Sequence, residues 1–353
     1  MQGGSPFWRK RHFFCIFTRG VLSYLEIYAM INASSFRKER DFSMITAVCL
    51  NPAIDRTVSV AALVPGGLNR VTASRSDAGG KGVNVAVTLA RLGEEAACVA
   101  FLPRENGRLV EEKLRAEGVE GAGVALDGAI RTNLKVLDES KREITEINES
   151  GAPVSEAQLA DMAALIERYA EKSDCLVLSG SLPPGCPASY YRDIMERIAP
   201  LPCRVVLDAD AARLREGLKA KPFLIKPNRH ELTELTGQPL DTLADIAKAA
   251  RALVEDGVGL AAVSMGGEGA LIVSREGALF APRMEVTPRS TVGAGDAMIA
   301  GLVAGLHRGL PLKDTFCLGV ACASASVMSE GTGLIDRATV DALLPRVQIL
   351  PVT

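Results

Sequence analysis

From residue 44 onward, short apolar runs alternate with longer segments in which apolar positions recur at helical spacing. The apolar runs predict strands at residues 45–50, 97–101, 175–178, 204–207, 223–226, 260–264 and 269–273. The segments between them predict helices at residues 82–92, 109–117, 156–171, 188–198, 229–236, 243–256 and 296–307. Apolar strands that alternate with helices are typical of an α/β fold whose mainly parallel sheet is covered by helices on both faces. Ligands of such sheets bind beyond the carboxyl ends of the strands.

Two stretches, residues 57–76 and 130–147, interrupt this alternation. Both contain short runs in which polar and apolar residues alternate, for example Glu143-Ile144-Thr145. That period is typical of strands with one solvated face. We therefore predict that these stretches form β ribbons outside the main sheet.

The composition limits the classes of function. The chain has 353 residues, 48% of them apolar and 23% charged, which is enough to bury a large core. A net charge of -2 gives no reason to expect nucleic acid or a membrane as a partner. The cysteines include no Cys-x-x-Cys pair and there are only 3 histidines, which argues against a zinc site. Such cysteines are typical of small buried residues in a reducing compartment, so we predict a cytoplasmic protein.

Residues 1–43 differ from the rest of the chain, since they are rich in aromatic residues and carry basic clusters. Their apolar stretch, residues 13–30, is interrupted by polar and charged positions, so it fits neither a signal peptide nor a membrane span. We expect Met44 to be the natural start and residues 1–43 to be a poorly ordered extension. A single domain is then expected over residues 44–353.

The most informative segment is residues 291–300, Thr-Val-Gly-Ala-Gly-Asp-Ala-Met-Ile-Ala. Its glycines permit a tight turn before a helix, so the N–H groups of Gly293, Ala294 and Gly295 are expected to form an anion hole that suits phosphate. Asp296 would repel a phosphate ligand, but it suits a general base that takes a proton from an attacking hydroxyl. The segment therefore predicts transfer of a phosphoryl group to an alcohol.

Two other interpretations of this segment remain open. A Gly-x-Gly sequence after a strand opens dinucleotide-binding turns, although Met298 stands where the third glycine of that fingerprint belongs. An aspartate in the first turn of a helix is also a common cap.

A second set of residues suits a phosphate donor. Lys226 and Asn228 end a predicted strand, and Glu231 follows at the start of a helix. The lysine can neutralise phosphate charge, while Asn228 and Glu231 can position hydrated Mg²⁺ through water. On these residues alone, a strand-to-helix cap with a surface lysine is the simpler interpretation.

A glycine-rich segment follows the next predicted strand. Its residues are Ser264, Met265, Gly266, Gly267, Glu268 and Gly269. The glycines would let the backbone approach a nucleotide closely. An ordinary hairpin is the alternative, and the segment can serve both purposes.

The predicted acceptor site contains Gly79, Gly80, Lys81 and Asn84, which open another helix and suit sugar hydroxyls and a phosphate. This segment is not a P-loop, because Gly82 stands where that motif has Ser or Thr.

Two further residues complete the predicted acceptor site. Asp55 offers two acceptor oxygens to neighbouring sugar hydroxyls. Arg131 offers a planar fork for a phosphate, with a surface salt bridge as the alternative. Together, Lys81 and Arg131 favour a phosphorylated acceptor over a neutral sugar.

The order and spacing of these motifs resemble the PfkB branch of the ribokinase-like sugar kinases, over residues 44 to about 352. The motifs that carry the resemblance are residues 50–55, 66–70, 78–86, 131–133, 145–149, 179–185, 226–228, 231–232, 264–270 and 291–300. The chain departs from the family pattern at residues 103–107 and 208–211. Both loops are expected near the mouth of the site.

The resemblance implies a ribokinase-like three-layer α/β/α sandwich, with residues 57–76 and 130–147 forming a small β-sheet that serves as a lid. In relatives the lid also pairs between two subunits, which implies a homodimer. The resemblance further implies that residues 264–269, with Gly295 and Asp296, line an ATP site, and that ATP and Mg²⁺ are used.

The implied reaction is ATP-dependent phosphorylation of a ketohexose phosphate, with fructose 1-phosphate as acceptor and fructose 1,6-bisphosphate as product. Tagatose 6-phosphate and fructose 6-phosphate are alternative acceptors. A non-catalytic sugar-phosphate sensor and a nicotinamide-dependent oxidoreductase are alternatives of a different class.

Overall fold

The computed structural model describes residues 44–329 and 334–352. The predicted extension, residues 1–43, lies outside the described residues, so its expected lack of order stays a prediction.

The described strands begin with the first residue of this range. They are β1 (Met44–Cys49), β2 (Ala53–Val60), β3 (Val71–Gly79), β4 (Glu95–Glu105), β5 (Glu120–Ala129), β6 (Arg131–Asp138), β7 (Glu143–Asn148), β8 (Ser173–Ser179), β9 (Arg204–Asp208), β10 (Leu224–Ile225), β11 (Leu260–Ser264), β12 (Gly269–Ser274), β13 (Gly277–Pro282) and β14 (Leu350–Val352). The helices are α1 (Lys81–Arg91), α2 (Arg108–Ala116), α3 (Glu156–Ala170), α4 (Tyr190–Ile198), α5 (Ala211–Gly217), α6 (Arg229–Thr236), α7 (Leu243–Glu255), α8 (Ala294–His307), α9 (Leu312–Val327) and α10 (Arg337–Leu343).

The main sheet has the strand order β14-β13-β12-β11-β10-β9-β8-β1-β4-β5. All neighbouring pairs from β11 to β5 are parallel, whereas β12, β13 and β14 extend the edge in antiparallel fashion. The prediction of a mainly parallel sheet is confirmed. Strands β5, β13 and β14 were not predicted, because their residues lack the continuous apolar runs of the central strands.

Helices cover both faces of this sheet because successive residues of each strand point to opposite sides. In β1, Val48 packs into the apolar cluster under α3, α4, α5, α6 and α7, whereas Ala47 and Cys49 pack into the cluster under α1, α2, α8, α9 and α10. The two clusters are the inner surfaces of a three-layer α/β/α sandwich, as the resemblance implied.

A separate sheet has the strand order β3-β2-β6-β7, and we call it the small sheet. Strand β2 pairs in parallel with β6, while β3 and β7 are antiparallel edges. The two stretches predicted as β ribbons are not strands throughout, because residues 61–70 and 139–142 form turns and loops. The apolar cluster of the small sheet contains only Val58, Val60 and Val136 as buried members.

In the part of the chain that the structure describes, no helix has the length and apolar character needed to cross a membrane.

Candidate active site

A cavity of about 650 Å³ lies beyond the carboxyl ends of β1, β8, β9 and β10 and is also lined by the small sheet. Its volume is in the range of small-molecule sites. The structure brings the following predicted residues into its lining: Asp55, Gly80, Lys81, Asn84, Arg131, Lys226, Asn228, Glu231, Ser264, Gly293, Gly295 and Asp296. The predicted residues outside the lining are Gly79, Met265, Gly266, Gly267, Glu268, Gly269 and Ala294.

Asp296 lies in the first turn of α8, directly beneath the cavity. Gly293 precedes this helix with φ of 83°, a left-handed conformation that glycine adopts at little cost. The Asp296 side chain is buried, and Asn84 Nδ2 donates a hydrogen bond of 2.9 Å to its Oδ2 atom. The carboxylate is therefore held in one orientation at the amino end of a helix.

The surroundings of Asp296 adjust its proton affinity for work near neutral pH. Burial raises the pKa of Asp296 to about 6, and the nearby carboxylate of Asp208 adds to the increase. The ammonium groups of Lys81 and Lys226 and the hydrogen bond from Asn84 act in the opposite direction. A carboxylate with this pKa is ionised at neutral pH yet basic enough to accept a proton from a hydroxyl.

Asp208, the last residue of β9, joins two lysines at the edge of the main sheet. Its Oδ2 atom lies 3.1 Å from Lys81 Nζ, and its Oδ1 atom lies 3.4 Å from Lys226 Nζ. Burial alone would raise the pKa of Asp208, but the two ammonium groups outweigh that effect and lower it to about 2. Conversely, Asp208 raises the pKa of Lys81. Lys81 is thus held as a cation beside Asp208.

Lys226 lies against the turn that leads into α8. A Cβ atom built on Gly295 would be 3.2 Å from Lys226 Nζ, so a side chain at this position would crowd the ammonium group. The free N–H groups at the start of α8 and the Lys226 cation therefore face the same small volume. An anion such as a transferring phosphoryl group is stabilised by that combination.

Asn228 and Glu231 form a capping box at the start of α6. The Asn228 backbone N–H donates to Glu231 Oε2 and the Glu231 backbone N–H donates to Asn228 Oδ1, both at 2.8 Å. The cap interpretation is thus confirmed, although both side chains also line the cavity.

The described residues contain no group of three or more His, Cys, Asp or Glu side chains that could hold a metal ion. Glu231, the carboxylate of the lining predicted to serve the metal, suits Mg²⁺ that keeps most of its water and binds substrate phosphates.

Residues 264–269 form the predicted hairpin between β11 and β12, with a 3-10 turn at Gly266–Glu268. Glu268 points away from the cavity and accepts two hydrogen bonds from Arg229, of 2.8 and 2.7 Å. Ser264 is the member of this segment that reaches the cavity. A nucleotide role for the rest of the segment stays a prediction.

The acceptor residues of α1 lie close to Asp55. Gly80 precedes the helix with φ of 113°, and a Cβ atom on Gly79 would lie 2.9 Å from Asp55 Oδ2 and 3.4 Å from Asn84 Oδ1. Gly79 therefore lets the backbone pass between two polar side chains of the cavity, while Gly80 supplies the backbone conformation of positive φ before the helix.

The Oδ1 atoms of Asn84 and Asn133 are buried and have no hydrogen-bond partner within the described ranges. Unpaired buried acceptors at a cavity wall fit a ligand that carries hydroxyl groups.

Asp55 shares its Oδ1 atom between two residues of the small sheet. Asn133 Nδ2 donates to this oxygen at 3.1 Å, and Lys135 Nζ lies 3.7 Å away. The expectation that both Asp55 oxygens serve the sugar is therefore incomplete, because one of them already has protein partners.

Arg131, the first residue of β6, donates to the backbone carbonyl oxygens of Asn51 and Glu149, each at 3.3 Å. Within residues 44–329 and 334–352, no carboxylate forms a salt bridge with it, so the alternative interpretation as a surface ion pair is not supported. Its partial burial lowers the pKa of the guanidinium, which nevertheless remains a cation at neutral pH.

Sequence reasoning missed several residues that line the cavity, among them Asn51, Asn133, Lys135, Glu146, Asn148, Ser179 and Asp208. The position of Asp208 at the end of an apolar strand was a usable signal. Asn133, Glu146 and Asn148 lie within segments that carry the family resemblance, but no local pattern showed that they approach the cavity, since this depends on pairing between distant strands.

The three-layer fold and a buried carboxylate at a helix amino end beside two cations define a ribokinase-like α/β kinase. Ribokinase from Thermotoga maritima has the same fold, with a TM-score of 0.72 over 86% of this chain and 99% of that one at 23% identity. Residues 46–338 match the model of the pfkB family carbohydrate kinases. The chain therefore belongs to the pfkB family.

Curated relatives extend this comparison. The 1-phosphofructokinase of Rhodobacter capsulatus is 41% identical over 78% of this chain and 88% of its own length. That of Bacillus subtilis is 36% identical over 87% of this chain and 99% of its own length. The crystal structure of phosphofructokinase-2 from Escherichia coli, in complex with substrates and products, has a TM-score of 0.81 at 29% identity over 86% of this chain and 99% of that one.

Proposed function

We propose that this chain is a 1-phosphofructokinase, which transfers the γ-phosphoryl group of ATP to the 6-hydroxyl of fructose 1-phosphate and forms fructose 1,6-bisphosphate. The observation that carries this proposal is the buried Asp296 carboxylate, with a pKa raised to about 6, at the amino end of α8 in the cavity. The identity of 33–41% to curated 1-phosphofructokinases supports the choice of acceptor.

In the proposed mechanism, the acceptor hydroxyl lies between Asp296 and the γ-phosphorus. As the new O–P bond forms, the hydroxyl proton moves to an Asp296 carboxylate oxygen and the bond to the ADP oxygen breaks. The N–H groups of Gly293 and Gly295 and the Lys226 ammonium stabilise the charge on the transferring group. The Ala294 N–H also faces the Thr291 carbonyl at 3.4 Å, a long hydrogen bond that it can give up to phosphate.

The donor side is proposed to consist of Lys226, Asn228 and the segment 264–269, with Gly295 and Asp296 beside the phosphates. Mg²⁺ bound to the ATP phosphates would neutralise part of their charge, and Glu231 would hold one of its water ligands. Glu231 suits this task because its capping bond fixes the side chain at the cavity wall.

The small sheet is proposed to act as a lid that excludes water from the acceptor hydroxyl. Exposed apolar side chains of the small sheet (Val71, Ile144 and Ile147) and of its β2–β3 loop (Val64 and Leu68) support a homodimer formed through the lid. A cytoplasmic location is proposed from the free thiols of the described cysteines, which suit a reducing compartment.

The decisive experiment measures ADP formation with fructose 1-phosphate, fructose 6-phosphate and tagatose 6-phosphate under the same conditions. We expect the highest kcat/KM with fructose 1-phosphate. A preference for either of the other two would overturn the acceptor assignment while leaving the kinase assignment intact. No ADP formation with any of them would support a sugar-phosphate sensor.

A further inference from the structure

Lys135, on β6, is a buried cation that none of the predicted motifs explains. Its exposed fraction is 7%, and its side chain lines the cavity. In the described parts of the chain, its ammonium group makes no hydrogen bond, and its ion-pair partner is Asp55 at 3.7 Å. This ammonium group lies at the cavity wall with hydrogen-bond donors to spare, so a ligand that supplies acceptors is expected beside it.

The register of the small sheet places Lys135 within a polar patch. Across β6 and β7, Asn133 is paired with Asn148, and Lys135 is paired with Glu146. Across β2 and β6, Asp55 is paired with Asn133. All five side chains line the cavity. The same face of the small sheet therefore presents two adjacent polar rows to whatever binds there.

The two oxygens of Asp55 have different surroundings. Oδ1 accepts from Asn133 and faces the Lys135 ammonium group, whereas Oδ2 faces the backbone of Gly79. Oδ1 is therefore engaged by Asn133 and Lys135, whereas Oδ2 makes no hydrogen bond within the described residues and is available as an acceptor.

The charges of the two cations of β6 are compensated differently. Asp55 lies close enough to Lys135 to offset its charge, whereas Arg131 donates to two backbone carbonyls and has no carboxylate partner in the described ranges. Asp55 also acts on the Arg131 charge, but from beyond salt-bridge distance, so a dianionic phosphate gains more from the Arg131 guanidinium than from the Lys135 ammonium group. A neutral hydroxyl suits the Lys135–Asp55 pair, because it accepts a hydrogen bond from the ammonium group and donates one to the carboxylate.

We propose that Lys135 is a positioning and specificity residue of the acceptor site. It orients Asp55 and donates a hydrogen bond to the same sugar hydroxyl that donates to Asp55 Oδ2. Lys135 and Asp55 together thus favour sugars whose hydroxyl group at one particular ring position has the configuration that reaches both side chains. This inference rests on the proposed sugar-phosphate kinase function and adds the residue that recognises the sugar rather than its phosphate.

The test compares wild type with Lys135→Met, which has similar length and no charge. Steady-state kinetics are measured with fructose 1-phosphate and with its 3-deoxy and 4-deoxy analogues. Lys135→Met should raise KM for fructose 1-phosphate by about 10- to 100-fold, the usual effect of a lost charged hydrogen bond. It should change kcat by less than about 3-fold, because Asp296 is untouched. For the analogue that lacks the bound hydroxyl, wild type and variant should have the same KM.

Two further variants separate this role from a structural one. Lys141→Met removes an exposed lysine at the turn between β6 and β7 and should leave all KM values unchanged. Lys135→Arg keeps the charge and should restore part of the preference for fructose 1-phosphate over the deoxy analogue. If Lys135→Met does not fold, Lys135→Gln, a neutral polar side chain of similar length, takes its place in the comparison. A preference for fructose 1-phosphate over the deoxy analogue equal to that of wild type would then overturn the inference.

An equal rise in KM for all three sugars, or no rise, would also overturn the inference. Wild-type ADP formation tests the proposed function separately. If another ketohexose phosphate is the preferred acceptor, the deoxy series of that sugar is used. If wild type forms no ADP, calorimetric binding of the same three sugars to wild type and Lys135→Met still tests Lys135.

Discussion

The two ends of the cavity are formed by different parts of the fold. The transfer end consists of Asp208, Lys226 and Asp296, and the acceptor end consists of Asp55, Arg131, Asn133 and Lys135. Lys81, which was predicted to serve the acceptor phosphate, is paired with Asp208 and so joins the two ends. The transfer end is supplied by strand ends of the main sheet and helix amino ends, in contact with large apolar clusters. The acceptor end is supplied by the small sheet, whose edge strand β7 is exposed along its whole length.

We expect the transfer end to determine the rate of phosphoryl transfer and the acceptor end to determine how the sugar phosphate is recognised. Groups that stabilise a transition state must be held rigidly before the reaction begins, and the packed main sheet provides that rigidity. A sheet with only a small apolar cluster opens more easily, which suits the entry and release of a sugar phosphate. Changes at the transfer end should therefore reduce kcat, and changes at the acceptor end should raise KM.

The largest expected effect follows from removal of the base at the transfer end. Asp296→Asn should reduce kcat by about 10²–10⁴, because the amide cannot take the hydroxyl proton while the anion hole and cations remain. KM for the sugar phosphate should change little. Steady-state ADP formation measures both constants, and near-normal turnover would show that another group is the base.

A smaller effect of the opposite kind is expected at the acceptor end. Arg131→Met should raise KM for the sugar phosphate by about 10- to 100-fold, because a charged hydrogen bond to phosphate is lost. The control is Arg56→Met, since Arg56 is an exposed arginine on the neighbouring strand β2. An Arg131 variant with unchanged KM would contradict the assignment of the phosphate position.

The smallest effect concerns stability. The folded state raises the pKa of Asp296 from 3.8 to about 6, so the ionised carboxylate is unfavourable above pH 6. Asp296→Asn should therefore stabilise the protein by about 1–3 kcal/mol at pH 7–8. The difference in the free energy of unfolding between variant and wild type should decrease as the pH falls from 6 towards 3.8, because the wild-type side chain becomes neutral. Urea unfolding at several pH values measures this, and a variant less stable than wild type at pH 8 would contradict it.

The same contrast explains what the sequence predicted. The turn before α8 and the order of strands and helices depend on local patterns. The position of Asp296 in the first turn of a helix and most strands of the main sheet were therefore predicted correctly. The outer strands of the antiparallel edge, β13 and β14, were missed because they are short and partly exposed.

The acceptor end could not be derived from local patterns. Lys135 and Asp55 are 80 residues apart in sequence and meet only through the pairing of β2 with β6. A one-residue change of register would move Lys135 to the opposite face of the small sheet. Asp208 begins a segment that departs from the family pattern after this aspartate, but its position between two lysines requires the neighbouring ends of β9 and β10 and the start of α1.

The most direct test of the account is the pH dependence of kcat/KM for wild type relative to Asp296→Asn, with fructose 1-phosphate as acceptor. The phosphate of the substrate also titrates near pH 6, but it does so equally for both proteins. The account predicts that the ratio of wild type to variant is constant above about pH 7 and falls about tenfold per unit below pH 6, as Asp296 becomes protonated. A ratio that stays constant down to pH 4.5 would contradict the assignment of Asp296 as the base.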